Sequence, residues 1–470
     1  MESESMLRYR LKIGHICGMM FTFSFAYSVG SYSYGEYGHE AFWSIFRPKN
    51  HFKNHTLKSL CDTNTSSEEY RNEQIVQSMV SRWSTYMSLA QGLPLIISSG
   101  LFCSLSDSMG RKPFVLVSLI GIFLKTFFMT VAVNLNWNIY SFLAFVFIDG
   151  CCGTWVIQLA MSMAMVSDLT TAEGKSRSFL ITVVGFFISL GYASGSFASG
   201  FIVERLGYGW SLGISSIVIM VPMFLLCFME ETLSENKKVN LNCDLKSHFK
   251  NLVQFYVEDD PINPESSKWK YILCLSVFVC ILLPRLGAFS VELYYVMDSP
   301  FCFNPLKIGI FQTINRLVSE FLILFGIKIM QYKLDDAAIA FVGTFTSAIS
   351  FVVIGSASSI GILFAGTAVG VLGMCAIPMI RAILSKMTPA HKQGTMYAGI
   401  AIVETICGCV GSVTGSSIYA ATVDVYRGMV FYVFSVFLLL ASGLLILLMV
   451  NRRRQRTGYQ QLQGTCSVVT

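Results

Sequence analysis

Charge is what this sequence has least of. Lys, Arg, Asp and Glu make up 13% of its 470 residues, about half the roughly 25% of an ordinary soluble domain. A water-soluble chain of this length divides into about three domains, each with a charged surface to maintain. The charges here are too few to cover three such surfaces. Histidine is scarce too, with six in all, mostly in loops. The chain has no His-Glu-x-x-His pair, no Gly-x-Ser-x-Gly elbow and no phosphate-cradling glycine loop. No catalytic, metal or cofactor set therefore emerges, and the chain reads as a non-enzyme without cofactors.

Apolar residues are what it has in abundance. They form 53% of the chain, 37 of them Phe, and the mean hydropathy is +0.58. Lipid is thus the main solvent. The net charge of +6 does not indicate nucleic acid, because the basic residues sit in short clusters between apolar runs, a pattern of membrane topology. A membrane-spanning helix needs about 20 mostly apolar residues. Runs that qualify lie near 12–33, 85–105, 114–134, 139–166, 179–201 and 210–229, then near 270–296, 306–330, 335–356, 359–380, 395–420 and 428–450. The expected fold is an all-α membrane protein of about twelve transmembrane helices. They fall into an N-terminal six-helix half at 1–229 and a C-terminal half at 270–450, with a polar linker at 230–269 and a tail at 451–470.

Lys and Arg concentrate in one set of short segments: Arg8, Arg10 and Lys12; Arg111 and Lys112; Lys175 and Arg177; Lys386 and Lys392; and Arg452, Arg453, Arg454 and Arg456. The opposite short connections, Asn134–Asn138 and Ser356–Ser359, carry none. Both termini are then cytosolic, with the first helix retained as a signal anchor. The 34–78 loop faces the lumen or exterior and carries two glycosylation sequons, at Asn54 and Asn64. Of the 14 cysteines, only Cys61 and Cys302 fall in predicted lumenal loops. An oxidising compartment would let them pair and staple the two halves, the alternative being two free thiols. The other cysteines read as small buried packers rather than metal ligands.

Six plus six helices around a polar linker is the layout of the major facilitator type, whose sites lie near the midplane between two halves. The loop between the second and third helices, Ser106-Asp107-Ser108-Met109-Gly110-Arg111-Lys112-Pro113, resembles that superfamily's D-x-x-G-R-[RK] motif. Gly110 permits a tight turn, Asp107 can cap a helix end, and Arg111 and Lys112 anchor to the cytosolic side. Cys103 stands where the motif usually opens with Gly, which loosens the expected helix contact. Gly191 with Gly195 and Gly411 with Gly415 are GxxxG spacings at equivalent places in the two halves, as rocking bundles or static packing would use; Gly366 with Gly370 is a third.

Several segments together resemble solute carrier family 46, the proton-coupled folate transporter and its lysosomal relatives. They are Arg82-Trp83-Ser84-Thr85-Tyr86-Met87, the Ser106–Pro113 loop, Asp298-Ser299-Pro300-Phe301-Cys302-Phe303 and Ile380-Arg381-Ala382-Ile383-Leu384-Ser385-Lys386, with Gln393-Gly394-Thr395 and Ile418-Tyr419-Ala420-Ala421-Thr422 beside them. Glu404-Thr405 in the eleventh helix looks closer to the lysosomal branch. The resemblance implies transport of a small organic solute by alternating access, a Cys61–Cys302 disulfide, and a role for Arg381 in solute binding or coupling. Two departures stand out. Gly185 occupies the place of the family's proton-coupling acid, and Arg285 that of a histidine; an arginine does not titrate at working pH.

An ionisable side chain at membrane depth costs several kcal/mol and marks function. Those expected there are Lys125, Asp149, Arg285, Glu292, Arg316, Glu320, Arg381 and Glu404. Lys125 reads as snorkelling or packing, and Arg316 with Glu320, four apart, as a local pair. Arg285 and Glu292 share a helix face, and with Arg381 they suggest a site for an anionic solute, since guanidinium binds carboxylate bidentately; the alternative is mutual charge balance. Trp155 is the candidate aromatic contact to a ring-bearing solute, the alternative being a packing residue. Asp149 or Glu404 would carry the proton if burial favours its protonated form.

Past the last helix, Gly458-Tyr459-Gln460-Gln461-Leu462 looks like a sorting signal for an adaptor, which places the chain in lysosomal or endosomal membrane, with the plasma membrane second. The expected partners are a small solute, protons, the lipid bilayer and that adaptor, with no nucleic acid. The alternative to a transporter is a receptor-like membrane protein on the same fold, and the loss of the acid at Gly185 is the feature that favours it.

Overall fold

A computed structural model of the chain describes residues 2–44, 68–170, 176–233, 254–255, 268–297, 300–303, 305–389, 392–422 and 425–466. Within that set the side chains of some helical residues, Arg316, Glu320, Tyr459 and Leu462 among them, lie outside the description. The described residues contain helices and turns and no β-strand. This is the expected solution for lipid, where every backbone amide must be satisfied within its own segment.

The first six spans are Arg10–Trp43, Arg82–Met109, Lys112–Asn134, Ile139–Leu169, Ser176–Leu206 and Tyr208–Phe228. The seventh is Lys268–Glu292, and the ninth to twelfth are Asp336–Gly355, Ile360–Met387, Gln393–Tyr419 and Met429–Asn451. These eleven are long and apolar enough to cross a membrane. Between the seventh and ninth lies a 29-residue helix, Pro305–Lys333, the eighth, several of whose side chains lie outside the description.

The first two helices are longer than expected. They run over Glu2–Trp43 and Glu68–Met109, so both ends of the 34–78 segment read as loop, 34–43 and 68–78, are helical, and residues 45–67, with Asn54, Cys61 and Asn64, lie outside the description. An aromatic cluster holds the extensions together. Tyr37 stacks on Phe142 at 5.8 Å, and Phe42 meets Trp83 edge-on at 6.4 Å, geometries that stabilise beyond simple burial.

The halves repeat one packing scheme. Gly191 and Gly195 of the fifth span lie against the carbonyls of Phe21 and Phe25 on the first. Gly411 and Gly415 of the eleventh lie against those of Leu283 and Gly287 on the seventh. A methyl group at any of the four would meet backbone, which is why small residues occupy these seams. The GxxxG pairs therefore knit each half internally and do not form the seam between halves. The halves also break the same helix. The fourth span divides at Gly153, φ +93°, into Phe142–Cys152 and Thr154–Leu169. The tenth is interrupted by a 3-10 turn, Val371–Cys375, between Ile360–Gly370 and Ala376–Met387.

Candidate functional site

Where the second span meets the third, the Ser106–Pro113 loop forms a buried charge cluster. Arg111 is fully buried and donates through Nη1 to Asp107 Oδ1 at 2.8 Å and through Nε to Asp168 Oδ2 at 3.1 Å. Burial alone would lower its pKa, but the Asp107 and Asp168 carboxylates outweigh that and hold it above the ordinary arginine value, so the guanidinium is permanently charged. Gly110 sits at φ +95°, and a Cβ there would collide with the Glu231 carboxylate. That carboxylate accepts from the backbone amides of Arg111 and Lys112 at 3.0 and 3.1 Å, and so satisfies the exposed N-terminus of the third span. The start of the 230–269 segment is therefore a docked cap rather than a plain tether. Glu230 adds an ion pair to Lys12 at 2.8 Å.

Around this cluster, hydrogen bonds tie one half to the other. Asp107 accepts from the backbone amides of Gly394 and Thr395 at 2.7 Å each, and from Thr395 Oγ1 at 2.8 Å. Arg177, at the start of the fifth span, donates to the carbonyls of Ser167 and Ser385, both at 2.9 Å, and to Thr170. Its guanidinium thus neutralises carbonyls at the ends of the fourth and tenth spans together. Ser178 donates to Asp336 Oδ2 at 2.7 Å, and Lys386 reaches the same oxygen at 2.6 Å. Tyr397 and Ser385 both reach Ser167. The molecule is closed at this end. Cys103 does not loosen the contact as expected: Gly394 packs so closely on its carbonyl that an added Cβ would clash.

At membrane depth the described residues include two ion pairs, one in each half; the expected Arg316–Glu320 pair lies outside the description. Lys125 Nζ bonds Asp149 Oδ2 at 2.6 Å with both side chains buried, so Lys125 neither snorkels nor merely packs. A lone buried ammonium beside a buried carboxylate is too costly to leave unpaired. Gln91 Nε2 donates to the same oxygen at 2.7 Å, and Oδ1 has no hydrogen-bond partner among the described residues. The pair lies about 15 Å along the helix from Ile139, at 1.5 Å per residue. In the other half Arg381 Nη2 pairs with Glu404 Oε1, and the guanidinium lies 5.7 Å from the Phe278 ring. Arg285 approaches Gly373 O and Met374 Sδ at the 3-10 turn of the tenth span.

A recess of about 130 Å³ opens beside the N-terminal pair, lined by Tyr34, Trp83, Met87, Ser88, Gln91 and Val146. Trp83 is 2% exposed, yet its Nε1–H has no acceptor among the described residues. Trp155 is 40% exposed, and Glu292 is half-buried on the seventh span. Cys302 is disulfide-bonded, at φ +49°. Its partner is none of the ten described free cysteines, and Cys61 lies outside the description. The sequons at Asn54 and Asn64 and the side chains of Tyr459 and Leu462 also lie outside it.

The sequence isolated Asp107, Gly110, Arg111 and Lys112; it marked Arg177 only as a topology charge and Gly394 and Thr395 only as part of a resembling segment, and carried no sign of a role for Asp168 or Glu231. One signal was present, since Lys125 and Asp149 are opposite charges at membrane depth in neighbouring spans. Arg177 carried none, being one basic residue in a basic loop.

The model of the Major Facilitator Superfamily matches residues 76–412. The chain is similar to the lysosomal proton-coupled steroid conjugate and bile acid symporter SLC46A3 of Homo sapiens, 28% identical over 393 residues and covering 83% of both chains. It is also similar to the proton-coupled folate transporter of Bos taurus, 26% identical over 376 residues, 80% of this chain and 78% of that one. Its fold matches the human organic anion transporter MFSD10 (TETRAN) at a TM-score of 0.69 and 16% identity, over 93% of this chain and 99% of that one. It matches the transporter FucP in its outward conformation at 0.65 and 12% identity, over 93% and 99%.

Proposed function

The chain belongs to the Major Facilitator Superfamily, and on that premise we propose that it carries a small organic anion from the lysosomal lumen to the cytosol by proton-coupled alternating access. One observation carries the reading. Each half buries an ion pair at membrane depth, Lys125–Asp149 and Arg381–Glu404, behind an end closed by hydrogen bonds between the halves. Buried charges are costly and are kept where they serve transport, and a seam of separable polar contacts can open where a fused apolar core cannot. With the termini and the Arg111–Lys112 loop in the cytosol, the closed end is the cytosolic one.

In this reading Arg381 and Arg285 draw an anionic solute into the protein, Glu292 and Trp155 border its path, and Asp149 and Glu404 are the groups a proton can reach. The proton side cannot run through Gly185, which has no side chain, or through Arg285, which stays charged. A steroid conjugate or bile acid is the first solute class to test, because the similar human protein bears those substrates in its name.

Flux into proteoliposomes, with and without an imposed pH gradient, tests the proposal with estrone sulfate, taurocholate, folate and a muramyl peptide as solutes. Acid on the side opposite the termini should accelerate uptake. If Asp149→Asn and Glu404→Gln both leave the pH dependence intact, the coupling assignment is wrong. The space around Gly185 is open, with no atom near an added Cβ, and this favours a second reading, a receptor-like protein that binds without transporting. Saturable binding with no flux would select it. For the lysosomal address, a Tyr459→Ala variant should shift to the plasma membrane; retention in lysosomes would remove the sorting role of the tail.

A further inference from the structure

The Lys125–Asp149 pair is built asymmetrically. Both of its donors, Lys125 Nζ and Gln91 Nε2, converge on Oδ2 of Asp149, while Oδ1 is buried with no donor among the described residues. An ionised carboxylate in low dielectric normally recruits donors to both oxygens, so the bare Oδ1 is a place where a proton fits. Gln91 also lines the recess with Trp83, whose buried Nε1–H lacks an acceptor among the described residues. An orphaned buried donor costs free energy until something supplies the missing oxygen. The titratable groups facing Asp149 are few: Lys125 from the third span, Tyr27 from the first and Cys152 from its own helix, with Tyr192 of the fifth facing Tyr27. The second span contributes the neutral Gln91. Lys125 is the one cation among them, and its ammonium also lies 5.0 Å from the Tyr27 ring centre.

We infer that the Lys125–Asp149–Gln91 cluster and the adjoining recess form a conditional anion subsite, vacant while Asp149 is ionised and opened by its protonation. A proton binds Oδ1 and forms a neutral carboxylic acid. Lys125 stays an ammonium but loses its counter-charge, and the Gln91 amide loses its anionic acceptor. One anionic oxygen group of the solute then takes Lys125 and Gln91, while the waiting Trp83 N–H, about 12 Å along the second span from Gln91, takes a second oxygen of the solute at the far end of the recess. One positive and one negative charge enter per cycle, so the buried cluster is neutral before and after. Proton and anion are thereby coupled one to one by charge balance alone. The Tyr34 and Trp83 rings that line the recess suit a solute whose anion is attached to a ring system.

The inference rests on the transporter reading but is tested on binding, with estrone sulfate as probe and the purified full chain in lipid nanodiscs. Wild type should bind more tightly as pH falls and take up one proton per anion in weakly buffered solution. Asp149→Asn should bind without pH dependence and without proton uptake. Lys125→Met should weaken binding about 10-fold or more at every pH, and Trp83→Phe about 5- to 10-fold at low pH. The double variant Lys125→Met with Asp149→Asn leaves no unpaired charge and so controls for folding; it should stay folded and still bind weakly. Wild-type binding without proton uptake, no saturable binding at pH 5, or full affinity in the double variant would each overturn the subsite. Flux with those binding results would leave the transporter standing, whereas coupled binding without flux would do the reverse.

Discussion

Asp107, at the end of the second span, caps the start of the eleventh: its carboxylate accepts from the backbone amides of Gly394 and Thr395 at 2.7 Å, across 287 and 288 residues of sequence. The exposed amides of a helix N-terminus carry a partial positive charge, so one side chain joins the two halves through a charge-assisted bond. Asp107→Asn keeps the shape and removes the charge. It should weaken closure at this end by about 1.5–3 kcal/mol and shift the population toward the open form. Distances between spin labels placed on the two halves at this end would report the shift; an unchanged distribution would show that the cap is not what holds the end shut.

Gly394 tests the same seam sterically. An added Cβ would meet the Cys103 carbonyl, Ser106 Oγ and Arg111 Nη1, so Gly394→Ala should open the closed end and slow flux several-fold. Gly408, on the same helix with nothing near its Cβ position, is the control. Gly408→Ala should be neutral or slightly stabilising, since alanine is the better helix former by about 1 kcal/mol. Equal behaviour of the two variants in flux assays would contradict the packing described.

Arg177 reaches carbonyls of both halves through its planar fork, which a lysine cannot reproduce. Arg177→Lys should therefore destabilise closure despite its retained charge, by about 1–3 kcal/mol for the donors it fails to supply. Labelling rates of a cysteine placed beneath the seam would rise. A wild-type rate in this variant would mean that charge alone suffices.

Arg381 and Glu404 neutralise each other in the C-terminal half. Removing one partner leaves a buried charge and should cost about 3–5 kcal/mol, so Arg381→Met and Glu404→Gln should each lower the melting temperature sharply. The combined variant should recover most of that loss, because it leaves no uncompensated charge. Additive losses would show that the two side chains act independently.

Cys302 is disulfide-bonded, and the topology of the chain points to Cys61. Alkylation of the unreduced protein followed by mass spectrometry should leave these two thiols unlabelled. Cys61→Ser and Cys302→Ser should each lose about 2–5 kcal/mol of stability, with the double variant no worse than either. A labelled Cys61 in the wild type would assign the bridge elsewhere.

The membrane fold was legible in the sequence because lipid imposes a one-dimensional rule: a span needs a run of apolar residues, and that run is local. The all-helical membrane fold, the eleven spans found among the described residues and the Ser106–Pro113 loop follow from local composition. The lengths of the first two helices did not, since Tyr37, Phe42 and Trp83 extend them by aromatic contacts with one another and with Phe142, formed only after folding. The motif loop was visible, but its partner was not. Gly394 and Thr395 have no distinguishing chemistry of their own, and their role comes from presenting backbone amides where Asp107 arrives.

The sequence by itself singled out the residues that carry charge into the membrane: Lys125, Asp149, Arg285, Glu292, Arg316, Glu320, Arg381 and Glu404. Only the tertiary structure decided their partners. It joined Lys125 to Asp149 and Arg381 to Glu404, brought Arg285 to the turn of the tenth span, and set Gln91 between the first pair and the recess. The physical reason is range. Whether a helix enters lipid depends on its own side chains summed along about 20 residues. Whether a buried charge is silent or available depends on which opposite charge stands within 3 Å of it, and that is set by how separate helices pack.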